Sequence, residues 1–167
     1  MKKIVWFWNF VHYSLFLFFK YCGDIITYPL FKIFNIGKVK DGYYRKGVFN
    51  PKEQVSNALN NPTYGTRMMF AGAGLNILML LLLFGLFNLL KVLNILPKDT
   101  PIKTAIIITI LIALMFNYFL IFKGDSYLDY FREFNEMKNR KRIANFALSA
   151  IICMLILSFS IYMFLLT

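Results

Sequence analysis

Residues 68–90 read MMFAGAGLNILMLLLLFGLFNLL, 23 positions without an acidic, basic or histidine side chain. Wound as an α-helix the stretch is about 34 Å long at 1.5 Å per residue, enough to cross a hydrocarbon core of about 30 Å. A single open strand is excluded there, because lipid offers no partner for unpaired backbone N–H and C=O groups. The run is therefore read as a membrane span, and the fold class follows from it: all-α, a polytopic transmembrane bundle.

Two further runs, 104–122 and 143–166, are also charge-free and of spanning length. The β-branched triplet Ile106, Ile107, Ile108 does not change the assignment, because length and backbone satisfaction favour helix. Composition agrees: 59% of residues are hydrophobic and 16% charged, against about 25% charged in soluble domains. Mean hydropathy is +0.58. One membrane domain, 68–167, accounts for all three spans. Pro97, Asp99 and Pro101 lie between the first two and predict a tight antiparallel connection. Residues 123–142 join the second and third; Tyr127, Tyr130, Phe131 and Phe134 recur there at helical spacing, which predicts a helix.

The N-terminal 36 residues form a separate segment. Residues 4–19 are apolar and crowded with aromatics (Trp6, Phe7, Trp8, Phe10, Tyr13, Phe16, Phe18, Phe19), and tryptophan and tyrosine prefer the head-group region. Asn9, His12, Lys20 and Asp24 fall near one helical face, so the segment is expected to lie in the interface or re-enter, with Pro29 ending its helix. A fourth crossing is the alternative. Lys2 and Lys3 before an apolar stretch resemble a secretory leader, but the first alanine is Ala58 and no small-residue cleavage site follows, so the segment is expected to be retained.

Charge sets the expected orientation. The loop 37–67 carries Lys38, Lys40, Arg45, Lys46, Lys52 and Arg67, and 123–142 carries Lys123, Arg132, Lys138, Arg140, Lys141 and Arg142. The loop 91–103 has only Lys91, Lys98 and Lys103. The richer loops belong on the cytoplasmic side, which places the C-terminus outside. The net charge of +11 is thereby assigned to orientation and anionic lipid rather than to nucleic acid. Lys138, Arg140, Lys141 and Arg142, directly before the last span, are the candidate lipid head-group contacts.

Small and polar residues form stripes on the spans: Gly74, Gly85 and Asn88 on the first, Ala105, Thr109, Ala113 and Asn117 at strict i+4 spacing on the second, Asn145, Ser149, Cys153 and Ser160 on the third. Such stripes let helices approach closely and hydrogen-bond across. Internal packing is expected for two of them, with the third open to self-association.

In the loop 37–67, Asn50-Pro51-Lys52-Glu53 has the form of an N-cap, a proline at the first helical position and a glutamate three residues after the cap. A short helix is expected to start there and end at Asn60-Asn61-Pro62. Its apolar face (Val55, Ala58, Leu59) is expected to dock on the protein's own helix ends, with partner docking as the alternative. Asp125, Asp129, Glu133 and Glu136 line one face at i, i+4, i+8 and i+11. They read as a solvated acidic face, divalent cation binding being the alternative.

No span contains an ionisable acid, base or histidine, which counts against an ion-coupled transporter. His12 is the sole histidine, too little for paired haem ligation, a zinc helix or a Ser-His pair, and it is expected to be interfacial or hydrogen-bonded. Cys22 and Cys153 have no paired spacing. No catalytic residue, metal or cofactor is expected.

The lysine-led aromatic start and the segment Tyr127-Leu-Asp-Tyr-Phe-Arg-Glu-Phe-Asn135, running into a basic cluster and a last apolar helix, resemble small multi-pass membrane proteins of Bacteroidota type. The resemblance is one of layout over about a third of the chain and implies no activity. The expected function is a non-enzymatic membrane subunit that assembles with itself or with a protein docking on 37–67 and 123–142. A homo-oligomeric effector or small pore and a small membrane-embedded enzyme are the alternatives.

Overall fold

The computed structural model describes residues 2–34, 36–97 and 100–166. Lys98 and the side chain of Lys38, used above to weigh loop charge, and Asp99, named in the connection between the first two spans, lie outside the described residues. The described chain is helical: α1 (Lys2–Ile33), α2 (Gly37–Arg45), α3 (Pro51–Asn60), α4 (Thr66–Val92), α5 (Ile102–Asn117), α6 (Ser126–Glu136) and α7 (Asn139–Leu165). Three helices are long and apolar enough to cross a membrane, as the apolar runs predict: α4, the helical stretch that begins with α5, and α7. The chain divides into two compact units, one formed by residues 1–14 with 73–167, the other by residues 15–72.

Between α5 and α6 the helix loosens before it turns. Residues Tyr118–Phe122 form a π-helix and Lys123–Asp125 a 3₁₀ turn, with Gly124 at φ 66° and Asp125 at φ 53°. Two successive left-handed residues end the apolar span and start the amphipathic α6 in a new direction. The spacing of aromatics predicts that helix well, because Tyr127, Phe131 and Phe134 form its buried face.

One expectation for the N-terminal half is corrected. Pro29 does not end α1, which continues through it to Ile33. A proline this near a helix end forfeits one backbone hydrogen bond, and only one further turn has to be accommodated. The aromatic segment packs largely inside the protein. Residues 8–14 are all buried, the longest unbroken buried run among the described residues, and seven consecutive helical residues cover every face of a helix.

Within the unit of residues 15–72, the predicted cap at Asn50 is built. Its Oδ1 accepts from the Glu53 N–H at 3.3 Å, its Nδ2 donates to Glu53 Oε2 at 2.6 Å, and Pro51 occupies the first turn. The apolar face of α3 is only partly covered among the described residues: the helix buries no side chain, Val55 and Ala58 stand exposed, and Leu59 is half-buried. Arg67, by contrast, is 4% exposed at the start of α4. It pairs with Asp24 of α1 at 2.8 Å and donates to Asn60 Oδ1 at the end of α3. Phe19 packs beside Phe70.

Candidate functional site

The chemistry-bearing residues of the first unit converge on the buried run of α1. Trp8 Nε1 donates to Asn117 Oδ1 at 2.8 Å, and Asn117 Nδ2 donates to Asn76 Oδ1 at 2.6 Å, so one chain of bonds ties α1 to α5 and α4. Asn9 Nδ2 donates to its own-helix carbonyl of Val5 and to Leu120 O in the π-helix, at 2.9 and 3.1 Å. Ser149 Oγ and Ser14 Oγ share a hydrogen bond at 3.0 Å, linking α7 to α1. Tyr13 donates to Asn135 Oδ1 at 2.7 Å, and Trp6 Nε1 to Glu133 Oε1 at 3.0 Å. The ties of Asn9, Asn117 and Ser149 follow from their buried surroundings, where an unpaired amide or hydroxyl is costly and a partner on a neighbouring helix removes most of that cost; the Trp6–Glu133 bond is exposed.

Around these bonds lies an aromatic core. The Phe10 and Tyr13 rings meet Phe134 at 4.9 and 5.5 Å. The His12 imidazole is caged by Phe122, Tyr127 and Phe131, with centroids at 5.5, 5.7 and 5.4 Å and interplanar angles of 75°, 61° and 58°. His12 has no exposed surface, and neither ring nitrogen has a hydrogen-bond partner. The steep ring angles suit N–H···π contact, a weak substitute for a carbonyl. Burial pushes the His12 pKa down to about 4, so the ring is neutral near pH 7. The expectation of a hydrogen-bonded histidine is thereby corrected: the α6 stripe and the end of the second span enclose the ring. Burial likewise holds the Tyr13 phenol above its usual pKa, with the nearby Arg142 guanidinium acting in the opposite direction.

The small and polar stripes of the spans differ in burial. Ala105, Thr109, Ala113 and Asn117 are all buried, and Thr109 donates back to Ala105 O at 2.7 Å. Ser149 and Ser160 are buried, while Asn145 and Cys153 are half-buried, the Asn145 amide lying 3.9 Å from Met137 Sδ. Gly85 is a point of close approach. A Cβ there would stand 2.8 Å from the Phe159 ring and 3.3 Å from Ser160 Cα. Asn88 is buried with its Nδ2 unpartnered, and Gly74 is half-buried. Of the proposed head-group contacts, Lys138, Arg140 and Lys141 are exposed; Arg142 is half-buried and donates to Asn139 Oδ1 at 2.8 Å.

The acidic face of α6 does not gather. Asp125 sits in the left-handed turn before the helix, Asp129 faces Arg132 at 3.6 Å, and Glu133 is held by Trp6. Among the described residues no three His, Cys, Asp or Glu side chains stand close enough to hold a metal ion. A lateral recess of about 360 Å³ between α4 and α5 is lined by Ile77, Leu80, Phe84, Ile106 and Ile110 with Thr109. The Thr109 hydroxyl is already bonded, so the recess offers nothing polar.

Sequence reasoning missed Asn76, Trp8, Asn9 and Ser14. Asn76 carried a usable signal, since a lone asparagine inside a charge-free run has to find a partner. The α1 residues carried none, because an aromatic helix looks the same whether it faces head groups or other aromatics.

No family model, curated protein or solved structure matches this chain. The functional reading therefore rests on the residues and their geometry.

Proposed function

We propose that the chain is a non-enzymatic integral membrane subunit that acts by assembly, its bundle serving as anchor and the segment 37–67 as docking surface. The observation that carries this reading is α3, a helix with a complete cap and no buried side chain. A capped helix of ten residues is marginal by itself in water, and one that buries no side chain among the described residues is suited to receive a partner from outside. The second expected docking segment, 123–142, contributes less, since the apolar face of α6 is covered by α1. In this reading the loops 37–67 and 123–142 face the cytoplasm of a bacterial cell, and Lys138, Arg140 and Lys141 meet anionic head groups.

A photo-crosslinking amino acid at Val55, exposed on α3, tests the proposal in the protein's own membrane. The expected result is a crosslink to one distinct polypeptide, abolished when Asn50-Pro51 is replaced by two glycines. Crosslinks only between copies of this chain, together with a conducting ring in native mass spectrometry, would replace the proposal with the small-pore reading.

A further inference from the structure

In the unit of residues 15–72, the second half of α1 has two opposed faces. Phe16, Phe19, Gly23, Thr27 and Phe31 follow helical spacing on one side, where Phe16 is buried, Phe19 packs on Phe70, and Lys52 stands 5.7 Å over the Phe31 ring. On the other side Phe18, Tyr21, Ile25 and Tyr28 follow one another at intervals of three and four. Their exposures are 52%, 69%, 58% and 63%. A soluble protein would not leave such a stripe of large apolar side chains in water.

Two features of the same unit indicate what covers it. Asp24, midway along the stripe, is paired at 2.8 Å with Arg67, which directly precedes the apolar run of α4 beginning at Met68. That ion pair ties the stripe to the first turn of a helix long and apolar enough to cross a membrane. The charges around it are then unbalanced. Asp24 is neutralised by Arg67, while Lys20 and Lys32 are exposed, and the Lys32 ammonium stands 5.2 Å from the Tyr28 ring centroid. Tyrosine rings beside lysines that extend past them are the composition of a head-group anchor, with apolar stems immersed and charged ends at phosphate. Spacing of three and four would also fit a second helix, but the next position in that stripe is Lys32, and a lysine in a dry helix-helix contact is unfavourable whereas at a lipid surface it is not.

We propose that residues 15–33 of α1 lie in the plane of an anionic bilayer surface, with Phe18, Tyr21, Ile25 and Tyr28 immersed and Lys32 at the phosphates. This goes beyond the docking role of α3, which uses a different helix, and either can fail without the other. Spin labels placed singly at residues 21, 25 and 28, with a control at 20, in a Cys22→Ala, Cys153→Ala background, test it in nanodiscs by power saturation. The three labels are expected to collide with oxygen in preference to a water-soluble nickel chelate, several-fold more than the control, and to move deeper when phosphatidylglycerol is added to phosphatidylcholine. Equal chelate access at all four positions in both lipids overturns the proposal. Spin–spin broadening at the three labels overturns it in favour of contact with a second copy. Three separate positions keep the test decisive if one labelled variant fails to assemble.

Discussion

His12 combines no exposed surface, no hydrogen-bond partner on either nitrogen and a cage of three aromatic rings. A buried unpartnered polar group costs about 1–3 kcal/mol, so His12→Leu, which keeps the bulk and removes both nitrogens, is expected to unfold at the same or a higher temperature at pH 7. The pH dependence has a definite sign. The ring titrates near its usual 6.5 when unfolded and at about 4 when folded, so between these values the unfolded chain holds a proton that the folded chain does not. Stability is complete above about pH 6.5 and falls on acidification toward pH 4, by roughly 3 kcal/mol at most, at 1.36 kcal/mol per unit. Thermal unfolding in detergent across that range checks it: the slope is present in the native chain and reduced in His12→Leu. A large loss of stability in His12→Leu at pH 7 would contradict the aromatic-cage description. Gly85 makes a second residue-level case. An added methyl would meet the Phe159 ring at 2.8 Å and Ser160 Cα at 3.3 Å, and overpacking of this kind costs about 1–3 kcal/mol. Gly85→Ala should therefore lower the unfolding temperature, and an unchanged value would contradict the close approach of α4 and α7.

Among the elements, legibility followed the range of the interaction. The span at 68–90 appears as Thr66–Val92 and the run at 143–166 as Asn139–Leu165, because a charge-free helix is specified by its own residues and by lipid. The cap of α3 was equally local, with Asn50 and Glu53 three residues apart. The second run lost its last turn to the π-helix at Tyr118–Phe122, a change produced at the junction with α6 and α1 that no local pattern announces. The placement of residues 8–14 was illegible for the same reason, since its partners lie more than a hundred residues away in sequence. For α3, whose side chains are unburied, the cap carries much of the local stability. Asn50→Ala is expected to cost about 1 kcal/mol, read as faster amide exchange over residues 51–60 with α4 and α7 unchanged. Exchange that stays as slow as in the native chain would mean that α3 is held by something other than its cap.

At the scale of the whole molecule, polar residues are spent on holding helices together. Asn76, Asn117 and Ser149 on the three spans each reach α1 directly or through one another, and the predicted stripe of α5 is buried throughout. In the anchor-and-docking function proposed above, α3 and the outer stripe of α1 are the surfaces that would meet partners and lipid. The first half of α1 is the element on which this account depends, and the Ser14–Ser149 contact, with its hydroxyl oxygens 3.0 Å apart, offers a direct test. Side chains that close lie within the reach of a disulfide. In membranes carrying the Cys22→Ala, Cys153→Ala chain, Ser14→Cys with Ser149→Cys should oxidise to an intramolecular disulfide that protects both thiols from maleimide. Both thiols remaining free and reactive under oxidation would place α1 away from α7 and contradict the account.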